Sequence, residues 1–210
     1  MTTLIETIRM RGGAAPLWYL HLRRLATSCR ALGVPIPPTL PPPEGGADRV
    51  HRILVSRRGV VAGERSIGSS APVRLVTSKL VHRPYPHKVV DRERFDRALA
   101  EAKEAGADDA LLLTVGGQVA EAAIWSVLWW VDGKLCAPPL EIGVLPGVAR
   151  ARLEELAGPI EERRATAEEL PGASAFVANA VKGVVPITSL DGREVPLSPQ
   201  TEALAARFWP

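Results

Sequence analysis

Three residue types able to do chemistry stand close together between Tyr85 and Arg150. Lys88 follows the proline-punctuated turn Tyr85-Pro86-His87 and precedes an amphipathic segment; Glu121 comes 33 residues later in an apolar run; Gly147-Val148-Ala149 opens a helix. A lysine amine can condense with an aldehyde once burial or a neighbouring cation lowers its pKa. A buried carboxylate can hold a pyridine nitrogen protonated, so that the ring draws electrons. The N-terminus of a helix opened by small residues presents free N–H groups to a phosphate. Each feature also has an ordinary explanation. A lysine before a helix is usually a solvated charge, a glutamate in a strand usually faces water, and a glycine often marks a loop-to-helix junction. Together they describe a site for a ligand with an aldehyde, a pyridine ring and a phosphate.

The elements that must position these residues can be read from periodicity and punctuation. Thr3 to Met10 reads as a strand, turned at Gly12-Gly13 and returning over Ala15 to Trp18 as a hairpin. Leu20, Leu22, Leu25, Ala26, Cys29 and Leu32 fall on one helical face, with Gly33 as the stop. The proline-rich stretch from Val34 to Gly46 is an extended loop, Arg49 to Ser56 a strand, Gly63 to Ser70 a Gly/Ser loop and Pro72 to Leu80 a strand. Asp91 to Ala105 reads as a helix capped by Asp91, with Phe95, Ala98, Leu99 and Ala102 facing inward. Leu111 to Val115 and Val119 to Val131 read as strands joined at Gly116-Gly117. Beyond a short strand at Lys134 to Ala137, a helix spans Val148 to Leu156, and a helical turn starts at Glu168-Glu169. Strands follow at Ala175 to Ala178, Val184 to Thr188 and Arg193 to Val195, then a helix from Thr201 to Phe208. A domain boundary is expected near Lys79 to His82.

The ordered motifs resemble the class IV aminotransferases, the fold type IV enzymes of pyridoxal phosphate (PLP). The resemblance rests on His87-Lys88 with Arg92, Gly117-x-Val119-x-Glu121, Pro138, and Leu145-Pro146-Gly147-Val148-Ala149-Arg150. It continues at Glu6-Thr7-Ile8-Arg9, at His21-Leu22-Arg23-Arg24-Leu25, and at Val177-Ala178-Asn179-Ala180-Val181 with Pro186-Ile187. The last stretch is most similar to the 4-amino-4-deoxychorismate lyases. The resemblance implies an α/β (α+β) fold of the D-amino acid aminotransferase-like kind. It would comprise a pared-down N-terminal α/β domain over residues 1–80 and a C-terminal PLP-binding pseudo-barrel over 81–210. Lys88 is implied as the Schiff-base lysine and proton-transfer base. Arg24 is implied as a phosphate ligand, with backbone groups of Gly147, Val148 and Ala149. Glu121 is implied as the partner of the pyridine nitrogen, and Asn179 and Ala180 as the turn at the site floor. Arg92 fits the spacing without an assigned role.

The implied activity is release of pyruvate and 4-aminobenzoate from a small anionic amine, in folate synthesis, by a cytoplasmic homodimer. The alternatives are an aminotransferase of branched-chain or D-amino acids and a shortened homologue without catalysis. The chain departs from the family pattern at Val127, where an asparagine is usual, at Ala137 and Ala149, where threonines are usual, and in starting almost at the Glu6-Thr7-Ile8-Arg9 motif.

Composition excludes other classes. The chain has 210 residues, 46% hydrophobic and 23% charged, which is ordinary for a folded globular protein. Residues 1–80 carry 12 Lys/Arg against 4 Asp/Glu, the rest 14 against 19. The basic half suits anionic small ligands. It lacks the aromatic and zinc-knuckle patterns of nucleic-acid binders, so no nucleic-acid partner is expected. Neither a signal peptide nor a membrane segment is expected, since the apolar run from Ala122 to Val131 is too short to span. Cys29 and Cys136 make no disulfide framework. His21, His51, His82 and His87 lack metal-ligand spacing, so no metal is expected. The Gly63 to Ser70 loop lacks the lysine of a phosphate-binding P-loop, and no G-x-S-x-G elbow is present.

Overall fold

A computed structural model describes residues 2–210. Strand β1 (Leu4–Met10) buries Leu4, Glu6, Ile8 and Met10 on one face, and Ile5 of the other face is buried as well. Its partner is β2 (Arg49–Ser56), antiparallel from Leu4↔Val55 to Met10↔Arg49. β2 then turns at Arg57-Arg58 into β3 (Gly59–Arg65), which completes a three-stranded sheet in the order β1-β2-β3. Helix α1 (Trp18–Leu32) packs Leu25 and Cys29 onto Leu4, Ile8, Ile53 and Val55. Gly33 ends it at φ 61°, a left-handed cap suited to glycine.

Two expectations fail in this region. No return strand forms over Ala15 to Trp18: Arg11 and Ala14 close a tight turn, and the apolar residues Leu17 and Leu20 belong to the start of α1, buried against the second sheet. The expected loop from Gly63 begins inside β3, whose residues are all exposed and so carry no burial alternation.

The second sheet has nine strands. They are β4 (Val73–Thr77), β5 (Asp109–Leu113), β6 (Val119–Ala122), β7 (Ser126–Val131), β8 (Lys134–Ala137), β9 (Glu161–Glu162), β10 (Phe176–Asn179), β11 (Gly183–Leu190) and β12 (Arg193–Glu194). The spatial order is β6-β5-β4-β11-β10-β7-β8-β9, with β12 hanging on β11. β4 runs parallel to both β5 and β11, and is therefore central to this sheet. The two sheets part between Arg65 and Val73, earlier than the boundary expected near residues 79–82. Helix α2 (Glu93–Glu104) covers one face through Phe95, Ala98 and Ala102, against Ala110 and Leu112 of β5. Helices α3 (Val148–Ala157) and α4 (Pro199–Arg207) cover another region, burying Val148, Leu153 and Leu204 around Phe176 and Phe208.

Asp91 does not cap α2. Arg92 occupies the cap position, and no side chain bonds the first turn. The expected single strand from Val119 to Val131 is broken at Ala123-Ile124-Trp125. Buried Asp109 causes the break by accepting N–H groups from Ala123 and Ile124, both at 3.2 Å, which bends the chain away from the ladder. Among the described residues no helix is long and apolar enough to cross a membrane.

One connection matters most for the site. The segment carrying Lys88 runs along the free edge of β1. Ile5 N–H donates to the Lys88 carbonyl and Val90 N–H to the Thr3 carbonyl, each at 2.9 Å. Lys88 is thereby fixed between the two sheets.

Candidate functional site

A cavity of ≈ 480 Å3 opens between the sheets, and Arg24, Lys88, Glu121, Gly147, Val148, Ala149, Asn179 and Ala180 all line it. The structure thus brings together every residue singled out from the sequence, within the size range of a cofactor site.

The β1 side supplies a buried network around Glu6. Glu6 is buried in β1; its Oε2 lies 2.6 Å from His21 Nδ1 and its Oε1 accepts from Arg24 Nε at 2.9 Å. A second guanidinium nitrogen of Arg24 also reaches Oε2, so the pair is bidentate. Burial alone would raise the Glu6 pKa. The Arg24 charge and the His21 contact outweigh it and hold the carboxyl at about 2. Lys88 lies beside this network. Burial, then the positive charges of Arg24 and Arg92, lower its pKa to about 7, against the opposing pull of Glu6. An amine so placed has a substantial neutral, nucleophilic fraction near neutral pH.

The opposite wall carries Glu121 on β6. Its Oε1 is buried without a hydrogen-bond partner and stands 3.5 Å from His82 Nδ1, which also lacks one. Burial raises its pKa to about 8, only partly offset by Arg92 and Lys88. A buried acceptor with no partner is costly and marks a place where a ligand donor would fit.

The third wall is the start of α3. Val148, Ala149 and Arg150 stand in the first turn, where backbone N–H groups have no intrahelical acceptor. A Cβ on Gly147 would lie 2.8 Å from Ser126 Oγ, so the cradle is closed to any larger residue unless Ser126 moves. The floor is the turn after β10, where Asn179 Oδ1 accepts the N–H groups of Val181 at 3.0 Å and Lys182 at 2.8 Å. The Asn179 side chain thus holds the turn through its oxygen, while its Nδ2 donates to the Ile124 carbonyl at 3.3 Å and ties the turn to the segment before β7.

Arg92 gains a structural explanation. It donates to the Ala123 carbonyl at 2.5 Å and lies over the rings of Phe95 at 4.8 Å and Tyr85 at 5.6 Å. It is not paired with a carboxylate, and its charge still reaches Lys88 and Glu121. Sequence reasoning missed Arg52, Arg65, Trp125, Ser126 and Lys182, all of which line the cavity. Only Lys182 left a signal, three residues after the asparagine of an Asn-x-x-Lys turn.

The amino-transferase class IV family profile matches residues 52–190, a stretch holding Lys88, Glu121, Gly147, Val148, Ala149, Asn179 and Ala180. A protein of Thermotoga maritima, provisionally named a branched-chain-amino-acid aminotransferase, is 34% identical over 125 residues, covering 56% of this chain and 46% of the relative. The chain thus spans about half the length of that curated relative. Among solved structures, a branched-chain aminotransferase of Thermoproteus uzoniensis with norvaline superposes with TM-score 0.86 at 24% identity, over 99% of this chain and 84% of its own. A Legionella pneumophila protein with the provisional name 4-amino-4-deoxychorismate lyase gives TM-score 0.83 at 23% identity, over 96% and 88%. At these identities the structural likeness is one of fold.

Proposed function

This chain belongs to the class IV amino-transferase family, whose members are PLP-dependent enzymes of fold type IV, and from that premise we propose that it is a PLP-dependent lyase of the 4-amino-4-deoxychorismate type. It would release pyruvate and 4-aminobenzoate. The reading also takes the enzyme to be a cytoplasmic homodimer serving folate synthesis, with a small N-terminal domain beside the cofactor domain. The observation that carries it is the charge of the cavity. Lys88 and Glu121 face a space whose charged lining is otherwise Arg24, Arg52, Arg65, Arg92 and Lys182 against the single acid Asp96, with Arg52, Arg65 and Lys182 free of any carboxylate partner among the described residues. Such a wall suits a substrate with more than one carboxylate better than one with an apolar side chain.

The residues fit the cofactor on independent grounds. The orphaned Glu121 oxygen matches a ring N–H, the glycine cradle at Gly147 matches a phosphate at a helix start, and the lowered Lys88 pKa matches attachment to an aldehyde. When bound, the group supplies an electron sink for the carbon next to the substrate amine. Arg24 and the N–H groups at Val148 and Ala149 would hold its phosphate, and Glu121 its ring nitrogen. Lys88, displaced by the substrate amine, would take the proton from the amine-bearing ring carbon. It would return a proton to the methylene carbon of the departing enolpyruvyl group. Breaking the ring carbon–oxygen bond to that group would make the ring aromatic and release pyruvate, with no net oxidation.

Pyruvate released from 4-amino-4-deoxychorismate is the direct test, with Lys88→Ala expected to abolish it. Full activity in that variant would overturn the role of Lys88. A second reading, aminotransfer from branched-chain amino acids, is favoured by the Thermotoga maritima relative. Leucine-dependent conversion of 2-oxoglutarate to glutamate, without pyruvate release, would replace the lyase with it.

A further inference from the structure

Lys182 stands apart from the other cations of the cavity. Arg24 is neutralised by Glu6, and Arg92 is bound to a carbonyl and packed on two rings. Arg52 and Arg65 sit exposed on β2 and β3. Lys182 is half-buried, and its ammonium has no hydrogen-bond or ion-pair partner among the described residues. Its Nζ lies 5.3 Å from the ring centroid of Trp125, which is buried and also lines the cavity.

Its placement is built. The backbone N–H of Lys182 is pinned by Asn179 Oδ1 at 2.8 Å. On the other side lies Gly68 of the Gly/Ser loop, where a Cβ would be in ordinary contact with Lys182 Cε and Nζ at 3.9 Å. Burial and the charge of Arg65 lower the Lys182 pKa, with Asp109 opposing, which places Arg65 within electrostatic reach. An ammonium backed by an aromatic face, with its N–H donors unused, is a receptor for an anionic group on a flat ligand.

We propose that Lys182, backed by Trp125 and joined by Arg65, receives a substrate carboxylate remote from the reacting amine, and so restricts the site to amines that carry a second anionic group on a ring. This rests on the functional reading above for which amine reacts. It does not rest on that reading for the carboxylate subsite. The phosphate and pyridine handles are served by other residues, leaving Lys182 free for the substrate. An apolar amino acid would leave this ammonium desolvated and unpaired, a cost that discriminates against it.

Calorimetric titration of the full chain with 4-aminobenzoate and its neutral isostere 4-aminobenzamide tests the subsite. The wild type should bind the acid about tenfold more tightly than the amide, as expected for a charge-assisted contact. Lys182→Gln should remove that preference while leaving amide affinity unchanged, and Lys182→Arg should keep most of it. An unchanged preference in Lys182→Gln, or none in the wild type, would overturn the proposal. Equal loss of both ligands in Lys182→Gln would overturn it too, because the residue would then shape the cavity rather than read charge. Adding PLP to the same samples separates the two claims. A Lys88-dependent absorption band with a Lys182-independent preference overturns only the subsite; a Lys182-dependent preference with no such band overturns only the functional reading.

Discussion

Glu6 and Glu121 are both buried carboxyls at the edge of one cavity, and they are held in opposite ways. Glu6 is met by His21 and a bidentate Arg24, and its pKa falls to about 2. Glu121 has an oxygen with no partner, and its pKa rises to about 8. Burial pushes both upward; only the local partners differ. Both oxygens of Glu6 are thus met within the chain, whereas one oxygen of Glu121 is not, the opening that the proposed cofactor would fill. The difference separates a residue that holds the scaffold from one that spends stability on function.

The largest effect should come from breaking the Glu6 contacts. Glu6→Gln leaves the Arg24 guanidinium largely buried without its counter-charge and His21 without its carboxylate partner, and should cost about 3 kcal/mol or more in urea unfolding. In the wild type the folded Glu6 pKa lies below the ordinary glutamate value of 4.5, so its contribution is full above that pH. It should disappear as the pH falls from 4.5 toward 2. A Glu6→Gln protein with wild-type stability at neutral pH would erase the contrast.

Glu121 should behave with the opposite sign. Its folded pKa lies above the ordinary glutamate value, so the stability it contributes is present below pH 4.5 and lost as the pH rises toward 8. Glu121→Gln should therefore make the cofactor-free protein about 1–2 kcal/mol more stable than wild type at pH 8. The gain should shrink toward pH 5. A loss at pH 8 would mean that Glu121 is paired after all. The smallest effect should come from the floor. Asn179→Ala removes the acceptor for two backbone N–H groups and should cost about 1 kcal/mol. A calorimetric Tm in the absence of ligand would measure it.

The contrast was half legible in the sequence. Lys88, Glu121 and the Gly147 helix start sit in ordered motifs whose spacing is set by the chemistry they share, and the fold returned them to one cavity. Helix α1 was legible because Leu25 and Cys29 recur at helical spacing before Gly33. The closure of Glu6 by Arg24 was not, because the partners lie 18 residues apart on different elements. β3 gave no signal because every residue in it is exposed on both faces. The apolar run through Val131 read as one strand because the bend at Ala123-Ile124 is imposed from outside by Asp109. Lys182 was not singled out from the sequence, because its neighbour Trp125 lies on a different segment and only the fold brings the two together.

The most direct test of the account is the absorption spectrum of the protein after incubation with PLP and desalting, recorded beside Lys88→Ala. The expected result is a retained band, fixed by borohydride in the wild type and absent from Lys88→Ala. No retained band, or the same band in both proteins, would contradict the assignment of the open Glu121 wall and the Lys88 amine to one cofactor.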